Sequence, residues 1–339
     1  MILEQLLEKF EDIKIENTFL YFITRVFKND IKKNSKLMDK YQFNVYQIDI
    51  DSEIRNHLYD LTKNQLQHLI SKKMEIQDYD VITDDTPQLL TYQMKDKKMS
   101  FADIVNSKLK ANVPKIKNLE EVLLKEELWA YSIGFYSSDS NWLYSFRKIL
   151  SGKVAIDVKD NPSRSKLQKT IRTIFNSKSK KLEMFPGETV SLDKQIDCLY
   201  YNNIFYIARK TQFEQIVGLE EEFRLQALEV ISDLEKTNMI DGIEILSQQM
   251  EINPSIHKKL VRLSKIGSYH DLDEKDVNHM IKISNEYGNN LKIKNGKLFI
   301  EDEKDIELAL KMLGDYYKRG EVSGKSYGTY AGKQLNTVT

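Results

Sequence analysis

The sequence has one cysteine, five prolines and 13 glycines in 339 residues. A lone thiol, Cys198, can neither close an internal disulfide nor furnish a zinc site built on cysteines. So little proline and glycine excludes collagen-like and linker architectures. No apolar run approaches the roughly 18–20 residues that a membrane-spanning helix needs. The opening Met1-Ile-Leu-Glu-Gln-Leu-Leu-Glu-Lys-Phe lacks a basic stretch followed by an apolar core, so no signal peptide is expected. Net charge is absent too, with 51 Lys/Arg against 51 Asp/Glu. Catalytic signatures are equally scarce. There is no P-loop, no Rossmann glycine fingerprint and no Gly-x-Ser-x-Gly elbow. No cofactor is expected.

What is present suits a folded chain of about two domains. Hydrophobic residues make up 41%, enough for a sizeable core at this length. Charged residues make up 30%, above the usual quarter or so. Residues 1–12 carry Ile2, Leu3, Leu6, Leu7 and Phe10 at helical spacing. The aromatic and β-branched runs 18–27 and 41–50 read as strands. A helix capped by Asp51 or Ser52 follows, with Ile54, Leu58, Leu61, Leu66, Leu69 and Ile70 as its apolar positions. Residues 71–117, broken by Pro87 and Pro114, read as irregular, with a domain boundary near Pro114.

Beyond it the patterns sharpen. A helix is expected over 119–127, and strands over 129–136 and 142–146. Asn202-Asn203 and Asn295-Gly296 read as hairpin turns. One long helix is expected from 211 to 236, with shorter ones near 241–249, 254–265, 273–286 and 303–317. Strands and helices are grouped and not alternating, which predicts an α+β fold. The expected division is an N-terminal strand-rich α+β domain, 1–117, and a mixed sheet-plus-helices domain, 118–339.

The zero net charge hides a dipole. From Ser145 to Leu182 there are 11 Lys/Arg against 2 Asp, a net of +9. From Glu183 to Asn253 there are 5 against 14, a net of −9. Asn161-Pro162 can start a helix in the basic stretch. On it Leu167, Ile171, Ile174 and Phe175 share an arc of roughly 100°. Lys166, Lys169 and Arg172 lie opposite, and Lys178, Lys180 and Lys181 continue the charge. Asn253-Pro254 starts a second such helix, with Ile256, Leu260 and Leu263 inward and Lys258, Arg262 and Lys265 outward. Faces of long cationic side chains neutralise phosphates and release counterions. A solvated surface is the alternative for each helix taken singly. No base-reading motif is visible, so DNA contacts would fall mainly on the backbone.

Other constellations are weaker. Asp96-Lys97-Lys98, with Asp84 and Asp85 upstream, loosely fits a metal-dependent nuclease, as does Asp302-Glu303-Lys304, although no upstream acid sits suitably near the latter. The nuclease alternative would use Asp85, Asp96 and Lys98. His270, His279, Asp271 and Asp273 lack metal-ligand spacing, and a loop and surface-helix role is expected for them. Cys198 lies in an apolar run and reads as an inert buried thiol. The acidic stretch around Glu220-Glu-Glu222, Glu229, Asp233 and Glu235 is either a solvated face or a dock for a basic partner. The tyrosine-rich tail from Val322 to Lys333 reads as a terminal strand with a basic edge.

Several runs in the second half resemble one known family. These are Trp129-Ala-Tyr-Ser-Ile-Gly-Phe, the strand with Asp197-Cys-Leu, and Ile207-Ala-Arg-Lys-Thr-Gln-Phe-Glu214 entering a long helix. The closing stretch from Leu308 to Tyr317, with Val322-Ser-Gly-Lys-Ser-Tyr, fits as well. Together they resemble the B protein of the bacterial Kiwa anti-phage defence system (KwaB), over roughly 120–335. The resemblance implies a cytoplasmic, DNA-binding homodimer that is peripheral to the inner membrane through membrane-embedded Kiwa protein A. It also implies interference with phage DNA replication and transcription, and the lack of an enzyme signature agrees with blocking DNA and not cutting it. A scaffold whose charges serve only protein partners is the remaining alternative.

Overall fold

The computed structural model describes residues 3–27, 41–81, 89–93, 104, 108–109, 113–116, 119–137, 141–149, 154–155, 173–176, 181–184, 189–190, 192, 195–266 and 269–330. The fold is α+β, as the grouping of elements predicts. The chain divides into two compact units. One is Met1–Asp78 with Pro87–Gly218, and the other is Tyr79–Thr86 with Leu219–Thr339.

The first unit is built on strands β1 (Thr18–Phe27), β2 (Tyr41–Ile48), β3 (Ile76–Asp78), β4 (Leu89–Gln93), β5 (Glu127–Tyr136) and β6 (Trp142–Lys148). Strands β11 (Cys198–Tyr201) and β12 (Ile204–Ile207) complete its sheet, in the order β2-β1-β5-β6-β11-β12-β4-β3. Helices α1 (Leu3–Glu11) and α2 (Ser52–Ser71) cover one face. Leu6, Phe10, Leu58, Tyr59 and Leu66 pack there on Leu20, Phe22, Ile133, Phe135 and Leu199. Helix α3 (Leu119–Lys125) leads into β5, and α4 (Lys210–Val217) follows β12. Phe213 of α4 meets Phe205 and Tyr92 at 5.3 and 5.5 Å, on the opposite face. Burial on both faces explains why β5 reads as a continuous apolar run and not as an alternation. Asn202 and Asn203 both adopt positive φ between β11 and β12, as a type I′ turn requires.

The stretch 71–117 is less irregular than its composition suggests, because β4 pairs with β12 and β3 runs parallel to β4. The partner of β4 lies more than a hundred residues away, so no local pattern announces the pair. Nor is Pro114 a linker. Gln47 donates to the Pro114 carbonyl at 3.0 Å and accepts from Ile116 at 3.0 Å. The expected boundary at 117/118 therefore runs through one sheet, since β1 pairs with β5 from Thr18↔Phe135 to Arg25↔Glu127.

The basic stretch carries a second correction. Short strands β7 (Val154–Ala155), β8 (Thr173–Asn176), β9 (Lys181–Met184) and β10 (Thr189–Val190) lie within it or just beyond. Strand β8 pairs antiparallel with β9, so Ile174 and Phe175 belong to a strand and not to the expected helix. The β-branched and aromatic run Thr173-Ile-Phe favours extended backbone.

The second unit packs helices α5 (Leu219–Thr237), α6 (Ile243–Ile252), α7 (Pro254–Ile266), α8 (Glu274–Glu286) and α9 (Glu303–Leu313) around a small sheet. That sheet has the order β13-β15-β14, from Ile240–Asp241, Lys297–Phe299 and Ile293–Lys294. Leu234, Leu246, Leu260, Leu298 and Leu310 form its core. Leu260 is fully buried, worth roughly 1.5–3 kcal/mol by apolar transfer. Asn295 and Gly296 form the predicted type I′ turn, both at positive φ. The expected single helix 211–236 is two helices. Gly218 ends α4 in the left-handed region at φ 76°, its N–H donating to the Glu214 carbonyl. A hairpin of β16 (Tyr317–Arg319) and β17 (Ser326–Gly328) stands where a single terminal strand was expected.

Candidate nucleic-acid interface

Strands β6 and β11 are antiparallel neighbours, paired from Phe146↔Cys198 to Tyr144↔Tyr200. Their connection, residues 149–197, leaves and re-enters the sheet at the same end. Nearly all of the basic stretch lies in this insertion. Lys166, Lys169, Arg172, Lys178 and Lys180 lie outside the described residues, while Lys181 opens β9.

The roots of the insertion are described in full. Asp197 is fully buried just before β11. Its Oδ1 accepts from Arg147 Nη1 at 2.5 Å, and its Oδ2 from the Lys148 N–H at 2.7 Å. Arg209, from the turn after β12, approaches Oδ1 at 3.5 Å and donates to Gln195 Oε1 at 3.0 Å. The Asp197 carbonyl accepts from the N–H groups of Ala208 and Arg209 at 2.9 and 3.0 Å. Burial pushes the Asp197 carboxyl up from its ordinary value, against the Lys148 N–H and the charges of Arg147 and Arg209, which pull it down.

A second cationic cluster touches the first through Lys148. Its Nζ donates to the carbonyls of Trp129 and Ile149 at 3.0 and 2.8 Å, and sits 3.5 Å from the centre of the Trp129 ring. Arg25, near the end of β1, lies 3.3 Å from the Trp129 ring centre and pairs with Glu127 at 2.7 Å. The register shift at Ile23/Thr24 makes Trp129 the extra residue of a β-bulge. A bulge re-aims its side chain, and here the indole lies against two cations.

Arg147 and Lys148 are buried and committed to these contacts, whereas the Arg209 side chain is 37% exposed. The cluster ties together the strand ends from which the basic insertion departs, with Arg209 partly exposed beside it. Composition counted Arg147 and Lys148 within the stretch but missed Arg25 and Arg209, which only strand pairing brings to this sheet end. Cys198 beside the cluster is completely buried, and burial pushes its thiol well up.

Helix α7 carries the second set. Ile256, His257, Leu260, Val261 and Leu263 are buried, while Lys265 is exposed, Lys258 and Arg262 are half-buried, and the Arg262 Nε is itself buried. Lys265 approaches Asp80 at 3.6 Å. Arg262 lies 5.7 Å from the ring centre of Tyr330, and its neighbour Lys259 lies 5.8 Å from the same ring. Helical spacing brings Lys258, Arg262 and Lys265 together but does not reveal Lys259 and Tyr330 beside them.

Two of the acidic candidates, Asp302 and Asp273, cap helices. Asp302 caps α9, accepting from the N–H groups of Lys304 and Asp305 at 2.9 and 3.1 Å. Asp273 caps α8 in the same manner, accepting from Lys275 and Asp276. Asp84, Asp85, Asp96 and Lys98 lie outside the described residues. Among the described residues no group of three His, Cys, Asp or Glu could hold a metal ion. None of the described helices is long and apolar enough to cross a membrane.

The family described as "Kiwa protein KwaB-like" matches the chain over residues 125–323. The match runs from β5, through the Asp197 cluster, to the turn between β16 and β17. No curated protein and no solved structure matches the chain.

Proposed function

The chain belongs to the KwaB-like family of Kiwa anti-phage defence proteins, and we propose that it acts by binding DNA, chiefly through the phosphate backbone. It does so as a homodimer with membrane-embedded Kiwa protein A as partner, in the cytoplasm and peripheral to the inner membrane. Bound DNA is obstructed for replication and transcription, and is not cut.

The observation that carries this reading is the placement of nine of the eleven cations of the basic stretch in one insertion between two paired strands, the other two, Arg147 and Lys148, ending β6. Its roots are held by Arg147 and Lys148, with Arg209 partly exposed beside them. An array of cations on a fixed base attracts a polyanion of any sequence. In this reading Lys166, Lys169, Arg172, Lys178, Lys180 and Lys181 contact phosphates, and Lys258, Arg262 and Lys265 form a second patch.

The test is fluorescence anisotropy of labelled duplexes with the wild-type chain and with a Lys169→Glu, Arg172→Glu double variant. The expected result is binding at least about tenfold weaker for every duplex sequence. The slope of log affinity against log salt should shrink by about two, since each phosphate that is no longer neutralised removes about 0.9 from it. Wild-type affinity in the folded double variant would remove this segment from the interface.

A further inference from the structure

The β16–β17 hairpin is the most exposed element described in the second unit. Lys318, Arg319, Lys325 and Tyr327 are all exposed, and Val322 at the tip is fully so. Three registers, Tyr317↔Gly328, Lys318↔Tyr327 and Arg319↔Ser326, hold the ribbon. Gly320 and Lys325 extend it by a 2.9 Å hydrogen bond, and Gly324 closes the tip onto Gly320 at 2.8 Å. Arg319 Nε donates to the Gly324 carbonyl at 3.2 Å, which fixes the guanidinium at the tip.

The foot of the ribbon is rigid. Tyr317 stacks on Tyr287 at 4.4 Å, and Tyr316 packs on Tyr330 at 4.8 Å. Gly328 lets the Tyr316 ring close over the backbone, where a Cβ would clash with it. Tyr330 then rests beside Arg262 and Lys259 of α7. The hairpin and the cationic arc of α7 thus meet at one tyrosine cluster.

We propose that this ribbon enters the major groove of duplex DNA while the cations of α7 hold the adjacent phosphates. The inference rests on the DNA-binding reading above and adds an element to it. The dimensions agree. Two strands lie about 4.8 Å apart and advance about 3.4 Å per residue, so three registers and a turn reach about the 8.5 Å depth of a groove roughly 12 Å wide. Chemistry favours the same occupant. The exposed part of the ribbon carries Lys318, Arg319 and Lys325 against Glu321 alone, with small Gly and Ser residues that permit close approach. Its exposed apolar side chains are Val322 at the tip and Tyr327 alone.

The test compares the full chain with a Lys318→Gln, Arg319→Gln, Lys325→Gln variant, whose exposed positions leave the core untouched. Anisotropy is read across a salt series, and dimethyl sulfate probes guanine N7 in the major groove. The expected result is affinity lowered at least about tenfold, a salt slope smaller by up to about three, and loss of N7 protection that the wild-type chain gives. If the wild-type chain binds and the triple variant matches it in affinity, slope and N7 protection, the hairpin proposal is overturned and the DNA-binding reading stands. If the wild-type chain itself does not bind, both fall.

Discussion

Asp197 shows how one residue can hold a basic site together. Its carboxylate is fully buried and is shared by Arg147, Arg209 and the Lys148 N–H. Removing it takes from the Arg147 guanidinium, itself only 7% exposed, a fully buried charge partner. Asp197→Ala is therefore expected to destabilise the fold by about 3–5 kcal/mol, the usual cost of breaking one side of a buried ion pair. Arg209→Ala removes a longer and more exposed contact, and about 1 kcal/mol or less is expected. Urea denaturation of the two variants checks the ranking. Equal losses would mean that Arg147 does not depend on Asp197. The run Asp197-Cys-Leu reads from sequence as a strand, but nothing local tells that its first residue faces two arginines.

At the scale of elements, most of the fold was legible because local and global preferences agree. Asp51 caps α2 through a 2.8 Å hydrogen bond from Ile54, and both asparagine-based turns form as their φ angles require. The expectations that differed did so where distant partners decide. Strands β3 and β4 exist through pairing that leads to β12, and β8 wins over a helical pattern through β9. Gly218 breaks a pattern whose apolar positions run on unchanged. Gly218→Ala places a Cβ at φ 76°, where open space removes any clash and only backbone strain remains. A loss of about 1–2 kcal/mol is expected, measured by thermal denaturation, and no loss would mean that the two helices can fuse without cost. The caps of the second unit predict a pH dependence. The Asp276 N–H, aided by that of Lys275, holds the Asp273 carboxyl below its ordinary 3.8. Because the folded value is the lower one, its stabilisation is present above that ordinary value and is lost as pH falls through the folded value. The stability gap between wild type and Asp273→Asn should close over that acid range. A gap that persists below it would mean that the cap does not act through charge.

For the whole molecule, zero net charge conceals the separation of +9 from −9 along the chain. That separation is readable by counting, and so is the cationic arc of α7. What counting cannot read is topology. Arg25 and Arg209 join Lys148 and Arg147 only because β1, β6, β11 and β12 belong to one sheet. The tyrosines of the tail join α7 only because the chain doubles back as a hairpin. The match to the KwaB-like family runs through both units, 125–323, and includes both basic features. The central claim is that these charges bind a nucleic-acid backbone and leave it intact. It is tested most directly by titrating labelled duplex DNA with the purified chain from low to physiological salt, with and without Mg²⁺, and then running the DNA on a denaturing gel. Binding is expected to weaken steeply with salt, to be insensitive to sequence, and to return full-length strands in both buffers. No binding at the lowest salt, or strands shortened only when Mg²⁺ is present, would contradict it.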